Sequence, residues 1–470
     1  MSQLPNGWAD TRLGQLCDFE MGQAPPGADC NKIGIGTPFV KAGEFGAERP
    51  IIREWTVNPL KHARATDVLI CVVGATAGKI NLGTDCSIGR SVAAMRPATA
   101  LDQYFLYRFM ATQVESLRSE SSGSAQGVIS KEKLANVEIA LPPLSEQKRI
   151  VAKIDSLSGK SKRARDHLDH IPRLVEKYKQ AVLAAAFRGD LTREWRAQNP
   201  MPAGSELAAE LLYAHQQLFG KKAKIVVDTS TAADLCQLPK SWTWMPVAAL
   251  STKVVDGVHK KPTYQEQGIP FLTVRNLTAG PGISFEGCRF ISNDDHLDFI
   301  RRTNPEHGDI LITKDGTLGV VRAVRTRQDF SIFVSLALVK PIDRSMTNYL
   351  ELAFLSPILQ QQMGGVGSGL QHIHLTDLRK DLVPVAPPEE RDEIVKRARK
   401  ALDWIDHLAS EAKSATQLVQ NLDQAVLAKA FRGELAPQDP CDEPATKLLE
   451  RIAAERAAIP KAKRRSTRMA

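Results

Sequence analysis

The chain has 470 residues, is 43% hydrophobic and 24% charged, and carries a formal net charge of +9 with a pI near 9.1. These are ordinary globular values for two to four domains, each half being long enough to bury its own core, and the basic excess favours a polyanionic partner, nucleic acid before membrane. Seven scattered cysteines with no C-x-x-C pair argue against a disulfide framework and a zinc site; with no apolar signal region and no run of membrane-span length, the expectation is a soluble, reduced, cytoplasmic protein.

In chain order, the first globular unit is expected over 1–143. It opens on Leu4-Pro5 and Trp8, carries DVLICVVGATAGK from Asp67 and SVAAMRP from Ser91, and closes at Pro142-Pro143. Gly74 to Lys79 imitates a phosphate loop, but the spacing is one residue short and Ile80 stands where Ser or Thr must bind magnesium, so a tight turn is expected. Over 144–188, positions 150, 154, 157, 161, 164, 168, 171, 175, 178 and 182 are apolar except Ser161. Alternating steps of four and three make a coiled-coil seam, about 60 Å long over forty residues. Pro172 should kink that helix without ending it. The first spacer element is bounded at 144–194. A connector, 195–237, holds a short helix near Leu207–Phe219 and the polar stretch KKAKIVVDTSTAAD.

The second unit, 238–386, repeats the first. Leu238-Pro239 and Trp242 echo the opening, DILITKDGTLG from Asp309 echoes the core strand, and SLALVKP from Ser335 follows. A second long helix, 388–432 within a 387–436 element, is apolar at 394, 398, 401, 405, 408, 412, 415, 419, 422 and 426. It ends AVLAKAFRGEL, against AVLAAAFRGDL at 181–191: nine of eleven residues identical, 244 positions apart. The remainder, 437–470, reads as a helix and a basic tail. Two matched seams after two matched units predict that the helices pair with each other, antiparallel as a pseudo-twofold chain requires. The alternative is that each packs only on its own domain. The expected fold is therefore mixed α/β (α+β), with two tandem globular domains separated by two long antiparallel coiled-coil helices in a pseudo-twofold internal duplication.

These features resemble the specificity subunits of Type I restriction–modification enzymes. The cues are the tandem layout, the A-V-L-A-x-A-F-R-G-[DE]-L helix endings, L-P-P-L-S-E-Q-K-R-I-V at 141–151, the L-P-x-x-W openings, the D-[VI]-L-I…G-x-x-G cores and EPATKLLERIAAERAA at 443–458. PPEERDEIV at the second helix start lacks the L-S-E-Q wording, and the second core loop lacks the Lys of the first. The resemblance implies two target-recognition domains, each reading one half of a bipartite double-stranded DNA site. It implies helices that set the spacing and dock two methyltransferase subunits, with two motor–nuclease subunits joining the complex. It implies a non-catalytic chain with no cofactor of its own; S-adenosylmethionine and ATP belong to the partners.

Base readers and phosphate clamps require Arg, Lys, Asn or Gln at exposed positions. The first unit offers Lys41, Arg49, Arg53, Lys61, Arg64, Lys79 and Arg90, and the second His259, Lys260, Lys261, Tyr264, Arg275, Asn276, Lys314 and Arg322. The polar segments GSAQGVI at 123–129 and GSGLQHIH at 367–374 add Gln126, Gln371, His372 and His374. They occupy the slot where the resemblance implies a Gly-Ser/Thr-x-Gln motif near DNA. Phe187, Arg188, Phe431 and Arg432 at the helix ends suit either C-caps or partner contacts. A methyltransferase reading fails because Asn58-Pro59-Leu60 and Asn199-Pro200-Met201 lack the Pro-Pro-aromatic loop. A scaffold joining two protein-binding domains stands as the rival that composition alone leaves open.

Overall fold

The computed structural model describes residues 4–119, 128–220, 225, 227–230, 232–364 and 372–458. It is a mixed α/β structure that divides into two compact units. One comprises the chain up to Asp169 together with the stretch from Lys413 onward, and the other runs His170–Ala412.

Within the first unit, the run Val68-Leu69-Ile70-Cys71 is buried on both faces, as an uninterrupted apolar run in a central strand demands. It lies in a four-stranded antiparallel sheet ordered Cys17–Met21, Val92–Pro97, Val68–Cys71, Ile80–Leu82. The twofold side-chain alternation splits its residues between two cores. Val68 and Ile70 meet Phe105, Leu106 and Met110 of the helix Gln103–Ser119, while Leu69 meets Val40, Ile88 and Ala94. A second sheet runs Cys30–Asn31, Trp55–Thr56, Thr37–Val40, Cys86–Ile88, His62–Ala63. Its strand Thr37–Val40 pairs parallel with Cys86–Ile88. The opening strand Ala9–Arg12 pairs with Glu138–Leu141.

The second unit repeats this plan. Its four-stranded sheet runs Ser251–Asp256, Leu336–Pro341, Ile310–Thr313, Val321–Ala323, and Thr243–Pro246 pairs with Leu382–Val385. Ile310 and Ile312 face one core and Leu311 another. A smaller sheet joins Arg289–Ile291, Ile269–Leu272 and Ser331–Ile332, the last pair parallel.

The long-helix segments enter each unit in the same way. Trp8 Nε1 donates to Glu146 at 3.0 Å, and Trp242 Nε1 donates to Glu390 at 2.8 Å; both carboxylates are buried in the first turn of a long helix. Beside Glu146, Gln147 holds the carbonyls of Ala100 and Pro142. Arg391, the counterpart of Gln147, is buried instead and burial lowers its pKa. In the first unit, Leu144–Leu168 runs against the end of Pro388–Phe431: Arg149 pairs with Asp442 at 2.6 Å and Arg165 with Asp423. In the second, Ile171–Phe187 runs against the start of Pro388–Phe431: Lys179 pairs with Asp406, and Arg397 donates to the Leu191 carbonyl at 3.0 Å. Partner numbers fall as residue numbers rise, so the segments are antiparallel within each unit.

Pro172 does more than kink the helix. The chain forms two helices, Leu144–Leu168 and Ile171–Phe187, with Pro172 in the first turn of the latter. Its ring removes a backbone donor, which is tolerated only where that donor has no intrahelical partner. Pro388–Phe431, lacking an internal proline, is continuous over 44 residues. Among the seam positions Ile150, Ile154, Ser161, Ile394, Ala398, Ile405 and Val426 are buried, whereas Tyr178 and Leu422 are 60% and 53% exposed.

Candidate nucleic-acid interface

In each unit the central strand runs into a glycine turn at the mouth of the sheet. Gly74 and Gly316 take φ of 72° and 76°. Val72 N donates to Ser91 O and accepts company from Ile129, whose N donates to Val72 O; Lys314 repeats both bonds with Ser335 and Ile373. The residues that follow the two Gly-Ser segments therefore lie beside these turns. Gln126 and Gln371 themselves fall outside the described residues.

In the first unit, Lys41 pairs with Glu54 at 2.6 Å and sits 5.6 Å from the Phe39 ring centroid. Lys61 pairs with Glu20 at 2.6 Å, and Arg49 donates to the Gly83 carbonyl at 2.5 Å. Part-exposed pairs of this kind are worth about 0–1 kcal/mol, so phosphate can replace the carboxylate at small cost. Arg53, Arg64, Lys79 and Arg90 are exposed.

In the second unit, Lys260, Lys261 and Arg275 are exposed, and His259 lies 3.0 Å from Asp256, which also takes Arg302. Tyr264 is half-buried under the Arg289 guanidinium, 4.3 Å from the ring centroid. Lys314 is only 5% exposed and reaches outward through a chain of contacts. Its ammonium donates to Asp315 at 3.0 Å, Asp315 lies 2.8 Å from His372 Nδ1, and His372 Nε2 lies 3.2 Å from His374 Nδ1.

Two expected readers have other employment. Asn276 is 4% exposed; its Oδ1 accepts from Thr273 N at 2.9 Å and its Nδ2 donates to Ser284 O at 3.0 Å. It closes a capping box, as Glu44 does at Lys41 in the first unit. Arg322 donates to the carbonyls of Val321 and Gly280, and burial lowers its pKa, with Glu351 opposing. The helix-end phenylalanines are core pieces. Phe187 is fully enclosed, edge-to-face on Tyr349 at 5.1 Å, and Phe431 packs between Phe105 and Phe109 at 5.4 Å from each. Arg188 and Arg432 are exposed and pair with Asp190 and Glu434.

Residues 5–167 match the family model described as the Type I restriction modification DNA specificity domain. The chain is 27% identical over 406 residues to the Type I restriction enzyme EcoKI specificity subunit of Escherichia coli K12, covering 82% of this chain and 79% of that protein. It is 26% identical over 478 residues to the EcoDI specificity subunit of Escherichia coli, covering 97% of both. These matches place a Type I restriction modification DNA specificity domain over residues 5–167 and make most of the chain similar to Type I restriction–modification specificity subunits. The fold of the chain is shared with the HsdS subunit from Thermoanaerobacter tengcongensis: TM-score 0.57, 21% identity, 92% of this chain and 98% of that one. It is shared also with a chain from a structural study of complex assembly and conformational transition of the type I R-M system: TM-score 0.63, 20% identity, 93% and 100% covered.

Among the described residues, no three His, Cys, Asp or Glu side chains gather to hold a metal, and no helix is long and apolar enough to cross a membrane. Sequence reading missed Asp315, the link between Lys314 and the histidines. Its signal was present: a carboxylate directly after a lysine, before the Gly316 turn, with His372 and His374 in the matching polar segment. Reading also missed Glu146 and Glu390, whose signal is a glutamate two or three residues past each Pro-Pro.

Proposed function

We propose that this chain is a specificity subunit that binds a bipartite double-stranded DNA site, each unit reading one half, while the long helices fix the gap and dock two methyltransferase subunits, with motor–nuclease subunits joining the assembly. The globular heads would be 1–143 and 238–386, the helical elements 144–194 and 387–436, and the connector 195–237. Catalysis, with S-adenosylmethionine and ATP, would reside in the partners, in a cytoplasmic complex.

One observation carries the reading. The duplication extends from sequence to hydrogen bonds: the same glycine turn, the same returning segment and the same Trp–Glu anchor to a long helix occur in both units. A chain that builds one DNA-reading head twice, each anchored to an antiparallel helix pair, is suited to read two half-sites at a set distance. Mapping methylated motifs in host DNA with and without the gene would define both halves. Removing one heptad from both helices should then shorten the gap by about 10 Å, or about three base pairs, leaving each half-site unchanged. An unaltered gap refutes the helices as a ruler.

A further inference from the structure

Corresponding backbone positions in the two units can be matched by their hydrogen bonds. Gly22 N bonds Val92 O as Gly257 N bonds Leu336 O, and Gln23 N bonds Ile88 O as Val258 N bonds Ile332 O. Gly36 and Gly268 precede the matched strands Thr37–Val40 and Ile269–Leu272. A Cβ on either would lie 2.3 Å from a carbonyl of the neighbouring strand, that of Thr56 or of Ile291. The segment between these fixed points is thus one structural slot occupied twice: 23–35 in the first unit and 258–267 in the second.

The occupants differ in chemistry. In the first unit the slot ends in a tip, Lys32-Ile33-Gly34-Ile35, whose isoleucines are 77% and 55% exposed. The tip is stiff. Asn31 accepts from the amides of Ile33 and Ile35 and donates to the Ile35 carbonyl at 2.7 Å. In the second unit the slot carries the exposed His259, Lys260 and Lys261 with Tyr264 beside them. A second, independent position changes in the same sense. The segment returning to the glycine turn places Val128, 38% exposed, where the second unit places His372. Val73 stands where Asp315 stands.

Isolated exposed aliphatics need no explanation, but two on a pinned tip, in the slot that the sister domain fills with cations, do. The matched cationic slot and the intervening Lys32 commit the occupant to DNA. An aliphatic side chain in the major groove has one good partner, the thymine methyl group. We infer that the two units read their half-sites by different physics: the first by apolar contact of Ile33 and Ile35 with thymine methyls, the second by Lys260, Lys261 and the His372–His374 pair through charge and hydrogen bonds. This rests on the proposed division of the DNA site between the units.

The test uses the intact complex with its methyltransferase partners and duplexes carrying the mapped site. Uracil replaces each thymine of the first half-site in turn. At a contacted position, loss of the methyl should weaken binding about three- to fivefold. Ile33→Ser with Ile35→Ser should lower affinity for the thymine duplex and abolish the difference between thymine and uracil, leaving the slope of affinity against salt unchanged. Lys260→Ala with Lys261→Ala should lower the magnitude of that log–log slope by about two and leave the uracil effect intact. All four side chains are exposed, and melting curves of the variants check that the fold survives. A first half-site without thymine, uracil scans without effect, or isoleucine variants with wild-type affinity and preference overturn the inference. An unmutated complex that does not prefer the mapped duplex over a scrambled one overturns the division of the site itself, a distinguishable result.

Discussion

Asp381 shows how much one side chain can tell about the units' inequality. It is 9% exposed, its Oδ2 has no hydrogen-bond partner, and burial, helped by Asp377, pushes its pKa to about 7. In the first unit the same backbone bond, to the residue after the opening strand, is made by Val137. A carboxyl whose folded pKa exceeds its ordinary value of about 3.9 favours folding least when ionised. Below about pH 4 both states hold the proton and nothing is lost. Between about pH 4 and 7 the unfolded chain releases its proton first and stability falls. Above pH 7 the loss is complete. Asp381→Val should flatten this dependence and raise stability at pH 8 by about 2–4 kcal/mol. Thermal melts from pH 4 to 8 check it, and parallel curves for both proteins would contradict it. Residue-level roles were the least legible part of the sequence. Asn276 has the composition of a base reader, yet Thr273-x-x-Asn276 is also a capping box, and only the backbone shows which use wins. Lys314 was visible as a cation but not as one enclosed by the sheet and presented through Asp315 and two histidines.

At the scale of elements, legibility followed the length of the periodic signal. Ten seam positions, each about one turn from the next, marked both helical segments; Pro388–Phe431 and a start at Leu144 lie within a residue of the bounds expected, although the first segment is two helices. The short strands were invisible one by one. Trp55–Thr56 and His62–Ala63 are two residues each, too short for alternation to register, and their pairing is decided by tertiary contact. The Phe-Arg-Gly endings were legible as C-caps but not in what they touch. Gly433 has φ 75°, and an added Cβ would lie 2.4 Å from Pro5; Gly189 repeats this against Pro239 at 2.5 Å. Each glycine thus joins a helix end to the Leu-Pro opening of its own unit. Gly433→Ala should lower stability by about 2–4 kcal/mol, combining backbone strain with the collision. Gly74→Ala, at φ 72° with nothing within 4 Å, should cost about 1 kcal/mol. Denaturant melts of both variants test this, and equal losses would show that the proline contact is slack.

For the whole molecule, the informative fact is that each hydrophobic cluster keeps to one unit. The clusters around Phe105 and around Val40 draw on the first unit, with Val426, Ala430 and Leu448 supplied by its returning segment. Those around Tyr349, Leu311 and Phe271 draw on the second. A core closed within a unit tolerates replacement of the other unit's surface, because packing losses are felt only where atoms touch. The segments 23–35 and 258–267, moreover, already differ in chemistry between the two units while the glycine turn, the Trp–Glu anchor and the helix ends stay fixed. Exchanging residues 9–141 for the equivalent segment of a relative with another target should therefore replace the first half-site alone. Trp8 and Glu146 lie outside the exchanged segment, so their anchor stays in place while the donor segment supplies its own glycine turn. The second half-site and the gap should persist in the methylated motifs of cells carrying the hybrid. A hybrid that alters both halves, or the gap, would mean that reading is shared between the units and not divided.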